Sequence, residues 1–179
     1  MRKLNLYVVI AMLITFLAHG VMGAFKLIGA DTDSLKLVAR IGMGLAVVHI
    51  IIVSILTYRT LYARKKSGAG YFKGNGLFWA RRISGFTVII PLVMHLTIFS
   101  PSNSGAYRLE VFNTGRLVSQ ILLVLTLLVH ILTNIRPLFV GMGIKGFKRY
   151  LVDILLVISA ILLVFAVAFV IYYLRWMRN

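Results

Sequence analysis

The sequence predicts an all-α integral membrane protein with five transmembrane helices, and three observations carry that prediction. The chain has 179 residues, of which 60% are hydrophobic, and its mean hydropathy is +0.95. A soluble domain of this size does not carry that composition. Windows free of Lys, Arg, Asp and Glu run Leu4 to Phe25, Ile41 to Tyr58, Ile83 to Ser100, Leu117 to Ile135 and Ile154 to Leu174. Each is close to the roughly 20 residues that cross a hydrocarbon core. The third observation is the confinement of charge to the segments between these windows, where headgroups and water can solvate it. We therefore expect one transmembrane domain over residues 1–179, with helices at about 4–27, 35–63, 79–100, 114–139 and 150–176.

The first helix opens "MRKLNLYVVIAMLITFLAHGVMG", a basic start before an apolar run. That run exceeds the roughly 7–15 residues of a signal-peptide core, so it reads as a membrane span. The second and third helices are joined by a segment with Arg59, Arg64, Lys65, Lys66, Lys73, Arg81 and Arg82 and no acid, and the fourth and fifth by one with Arg136, Lys145, Lys148 and Arg149. By the positive-inside rule both joins are cytoplasmic, which puts the N-terminus inside and the C-terminus outside. Arg175 and Arg178 on the C-terminal tail argue weakly the other way. The expected location is the cytoplasmic (inner) membrane of a prokaryote, with the lipid bilayer as solvent.

The net charge of +16 sits in loops that border apolar helices, so topology accounts for it and no nucleic acid partner is expected. With no cysteine, the chain can hold neither a disulfide, nor a thiolate-bound iron–sulfur cluster, nor a covalently attached c-type haem. The stretch "GMGIKG" matches a dinucleotide pattern in spacing alone. It follows an apolar helix rather than a strand, and is read as a loop. "KKSGAGYFKGNG" is likewise a glycine-rich connector.

The histidines are the informative residues. There are four, His19, His49, His95 and His130, one in each of the first four apolar windows. Burying a polar ring in a bilayer is costly, so the pattern needs a cause. At 1.5 Å per residue, His19 and His95 lie roughly 5–7 Å to the outer side of the midplane. His130 lies about 6 Å to the inner side. His49 falls near the middle of its window or slightly inward, and is paired with His130. Two facing histidines at each of two depths is the geometry for two haems, each iron held by imidazoles from non-adjacent helices. Small residues near the ligands would make room for a macrocycle: Thr15 and Gly23 for His19, Gly42 for His49, Thr126 for His130. Ordinary close helix packing explains the same residues. Pro91, four before His95, leaves the Thr87 carbonyl without its helical partner and is expected to bend the third helix. The competing reading is a transporter or structural protein with histidines hydrogen-bonded across helices, or a proton relay. A relay favours carboxylates at depth, and Asp31, Asp33, Glu110 and Asp153 all fall at window ends or in loops.

Three features resemble the dihaem, five-helix membrane anchors of the succinate dehydrogenase and fumarate reductase family. "WARRISGFTVIIPLVMHL" is similar to that family's Arg-x-Ser/Thr-Gly helix start followed by a ligand histidine. "LLVHILTNIRPLFVGMG" is similar to its late ligand histidine and the exit that follows. The order of ligands, on helices one to four with none on five, is the third. The resemblance implies a cytochrome b subunit that carries two haem b groups, one on His19 and His95 and one on His49 and His130. It would pass electrons between an iron–sulfur subunit, itself served by a flavoprotein subunit on the cytoplasmic side, and a quinone (menaquinone or ubiquinone).

Arg81, Arg82, Arg136 and Lys145 are candidates for docking the iron–sulfur subunit, with Arg82 and Arg136 also candidates for haem propionates or a quinone. Ser84, eleven residues before His95, is a candidate for a propionate or quinone contact at the inner end. Lys26, Asp31, Asp33 and Arg40 are candidates for proton handling on the outer side, although surface solvation explains them as well. A dihaem cytochrome b serving a hydrogenase, formate dehydrogenase or nitrate reductase remains an alternative.

Overall fold

The computed structural model describes residues 1–30, 34–66, 75–98, 112–146 and 149–177. Five α-helices follow one another: α1 (Arg2–Ile28), α2 (Leu35–Lys66), α3 (Gly76–Ile98), α4 (Thr114–Gly141) and α5 (Leu151–Met177). Every one is long and apolar enough to cross a membrane, and among the described residues there is no strand. The helical choice follows from the solvent: in hydrocarbon each backbone N–H and C=O must be satisfied within the chain, and a helix does this locally. The helices agree with the expected spans to within a few residues at each end. The outer-side candidates Asp31 and Asp33, together with Glu110, lie outside the described residues.

Helix ends are closed by specific contacts. At α1 the chain turns at Gly29, whose φ of 105° suits a residue without Cβ, and Arg175 from the end of α5 donates to the Ile28 carbonyl at 2.6 Å. The Asn113 side chain caps α4 by accepting from the Arg116 N–H at 3.0 Å. In "GMGIKG", Gly143 and Gly146 have φ of 75° and 79°, so these glycines serve the turn that leaves α4.

Neighbours in sequence pack as two antiparallel hairpins, α1 on α2 and α3 on α4. Helix α5 leans on both α1 and α4 and ties the hairpins together, while α1 and α4 touch only lightly. Among the described residues, α1 and α3, and likewise α2 and α4, stand further apart than these packed pairs.

Lipid tails are as apolar as leucine, so the hairpins are not squeezed together by water; close packing has to hold them. A buried apolar cluster joins α1, α4 and α5. Val124, Leu162 and Phe165 form its buried centre, with Phe16, Leu128 and Ile161 against them. The ring of Phe165 fills the space where a side chain at Gly20 would lie, and meets Phe16 edge-on at 6.2 Å. Where α4 begins and α5 ends, Thr114 and the Tyr173 hydroxyl are 2.9 Å apart and the fully buried Phe112 ring meets Tyr172 at 5.2 Å. Those contacts fix the start of α4 to the end of α5.

Candidate functional site: two histidine layers between the hairpins

Across the space between the hairpins, His19 of α1 and His95 of α3 face each other with ring centroids 5.9 Å apart and planes at 85°. Two imidazoles on opposite sides of one metal, each bonded at about 2 Å, have centroids about 6 Å apart. The second pair, His49 of α2 and His130 of α4, is within electrostatic range of one another, and Arg82 of α3 is in range of both. All four rings are half-buried.

The contacts between helices fix the depth of each layer. Gly42 of α2 packs against Thr15 of α1, which sets the register of the first hairpin. Counting four residues along α1 from Thr15 to His19 and seven along antiparallel α2 from Gly42 to His49 separates the two rings by eleven residues of rise, about 16 Å. In the second hairpin His95 bonds Gln120, and His130 lies beside Ser84. Those partners are ten to eleven residues apart along α3 and α4, or about 15–16 Å. Two independent hairpins thus give the same spacing. His49 therefore lies a full layer from His19 along the bundle axis.

Each ring of the second hairpin is held by a polar network. His95 Nδ1 is 2.7 Å from Gln120 Oε1; the Gln120 amide nitrogen donates to Ser119 Oγ at 3.0 Å, and the Ser119 hydroxyl donates to the Arg116 carbonyl at 2.7 Å. Gln120 and Ser119 are 0% and 2% exposed. In the second layer His130 Nδ1 is 3.1 Å from Ser84 Oγ, which also lies 3.2 Å from Thr133 Oγ1. Asn134 donates to the His130 carbonyl at 2.8 Å and to Thr133 Oγ1 at 3.2 Å. Gly85 lets this ring approach: a Cβ there would stand 3.3 Å from His130 Cε1. His19 and His49, on the first hairpin, have buried Nδ1 atoms without a hydrogen-bond partner among the described residues.

His19 and His95 come within 5.9 Å of one another, and His49 and His130 are in electrostatic range. Ser84 is buried against His130, the ligand candidate on the neighbouring helix, rather than reaching a group at the inner rim. The Arg82 guanidinium lies over the Phe78 ring at 4.9 Å, close to the inner layer, whereas Arg136 and Lys145 are exposed. Arg81 turns inward and donates from Nε to the Thr133 carbonyl at 3.1 Å. Helix α3 runs unbroken through Pro91, and the His95 ring is oriented by Gln120. Of the small residues near the ligands, Gly42 is taken up by Thr15, while Gly23 faces open space. Gln120, Ser119, Thr133 and Asn134 were not singled out from the sequence. A lone amide at Gln120 inside a charge-free window carries the same cost that marked the histidines, and that was the available signal.

No group of three or more His, Cys, Asp or Glu side chains able to hold a metal ion occurs among the described residues. The donors come in pairs, and a bis-imidazole pair suits a metal whose remaining ligands arrive with it in a macrocycle. The 5.9 Å centroid spacing of the His19–His95 pair fits two imidazoles on one haem iron. Comparisons with protein-family models, with curated proteins and with solved structures give no match.

Proposed function

We propose that the chain is a dihaem membrane cytochrome b, with His19 and His95 as axial ligands of an outer haem and His49 and His130 as those of an inner one. The observation that carries the reading is the outer pair: two imidazoles from different hairpins, 5.9 Å apart, in an apolar bundle. When bound, haem b supplies a one-electron carrier. The chain's own part is to ligate through the imidazoles and hold His95 and His130 in place through Gln120 and Ser84. It also keeps water and hydrogen-bonding competitors away with the surrounding leucine, isoleucine and valine side chains.

The more particular setting is the anchor of a succinate dehydrogenase or fumarate reductase complex, and it rests on the resemblance in ligand order and helix motifs. In that setting the inner basic residues Arg136 and Lys145, both exposed, meet the iron–sulfur subunit, which is itself paired with a flavoprotein. Arg82, beside the inner histidines, has the charge to bind a propionate.

The test is to reduce the purified, haem-loaded protein with a soluble quinol. Reduction of the b-type absorbance supports quinone-linked electron transfer. A protein that holds haem but stays oxidised with quinol, while dithionite reduces it, contradicts the quinone role.

A further inference from the structure

The Gln120 chain has a direction, and the direction fixes the protonation of His95. The Ser119 hydroxyl hydrogen is committed to the Arg116 carbonyl at 2.7 Å, so Ser119 Oγ is left to accept. Gln120 therefore presents its amide nitrogen to Ser119, at 3.0 Å, and must present its carbonyl oxygen to His95, at 2.7 Å. An amide oxygen only accepts, so His95 carries its hydrogen on Nδ1 and its lone pair on Nε2. The chain is anchored further back, because the Arg116 N–H is held by Asn113 at the start of α4.

Among the described residues no such one-way chain fixes the protonation of His130. Ser84 Oγ has three neighbours, the Arg81 carbonyl at 3.1 Å, Thr133 Oγ1 at 3.2 Å and His130 Nδ1 at 3.1 Å, so its single hydrogen has alternatives. The Asn134 amide nitrogen also lies 3.4 Å from His130 Nδ1, and it is a donor. The outer ring thus faces a committed acceptor. The inner ring faces a hydroxyl and an amide with mixed roles.

We propose that Gln120, held by Ser119, is the positioning residue of the outer site: it fixes the His95 tautomer with Nε2 toward the metal and sets the electron-donating strength of that ligand separately from the inner pair. This rests on the haem reading above. A hydrogen bond from Nδ1–H to a good acceptor makes the imidazole more basic and stabilises the oxidised iron. Loss of that bond therefore raises the midpoint potential of the outer centre.

The experiment is an optical redox titration of the purified protein with Gln120→Leu, which removes the acceptor with little change in volume, and with Ser119→Ala, which frees the amide to turn its nitrogen toward His95. The component lost in His95→Ala marks the outer centre. The expected result is a potential shifted upward for that component in both variants, larger for Gln120→Leu, with the inner component unmoved. If Gln120→Leu fails to fold, Ser119→Ala alone carries the test. Equal shifts of both components, or no shift of either, overturn the assignment of Gln120. A wild-type protein without b-type haem overturns the underlying haem reading, so the two failures are told apart.

Discussion

Thr133 shows how a broken helical bond is made good in a membrane. Pro137 lies within α4 and has no N–H to give to the residue four before it, so the Thr133 carbonyl loses its helical donor. Arg81 of α3 donates to that carbonyl at 3.1 Å. In hydrocarbon the alternative is an unsatisfied carbonyl, and leaving such a group bare costs about 1–3 kcal/mol. Arg81→Met is therefore expected to lower stability in detergent by about that amount. In a Pro137→Ala background the helix recovers its own donor, and Arg81→Met should then cost much less. Thermal unfolding of the four proteins measures this. An equal loss in both backgrounds would show that Arg81 stabilises by some other contact.

At this scale the sequence was only partly legible. The histidines announced themselves as rare polar rings in apolar windows. The roles of Arg81 and Ser84 did not, because which neighbour a side chain reaches depends on how α3 and α4 lie together. Ser84 was placed by its spacing from His95 on its own helix, yet it bonds across to His130.

Between elements, the hairpins are joined by α5, and α5 packs closely on α1 at Gly20. Its missing side chain is replaced by the Phe165 ring, which is itself buried in the α1–α4–α5 centre. Gly20→Leu forces the helices apart there and should destabilise by about 1–3 kcal/mol, the usual cost of overpacking. Adding Phe165→Ala should recover part of the loss by making room. If the double variant is as unstable as the sum of the singles, Gly20 and Phe165 are not packed on each other. Gly20 adjoins His19 in sequence, so the same contact bears on how the first hairpin presents that ring. Helix existence and extent were well read from hydropathy, since a bilayer requires about 20 apolar residues whatever the neighbours are. Which helices pack closely was not readable, because that depends on surface shape and not on hydropathy.

For the whole molecule, the two histidine layers are a consequence of antiparallel register. One contact, Gly42 on Thr15, sets the depth of His19 against His49, and the His95–Gln120 and His130–Ser84 contacts set the other hairpin to the same spacing. Window midpoints put His49 near the middle of α2, and the Gly42–Thr15 register sets it about 16 Å from His19 along the bundle. The most direct measurement is the haem content of the purified chain, by reduced-minus-oxidised spectroscopy and pigment extraction against protein concentration. The account predicts two b-type haems per chain, with one lost in His95→Ala and the other in His130→Ala. A chain with no b-type haem, or with one haem that either substitution removes, contradicts it.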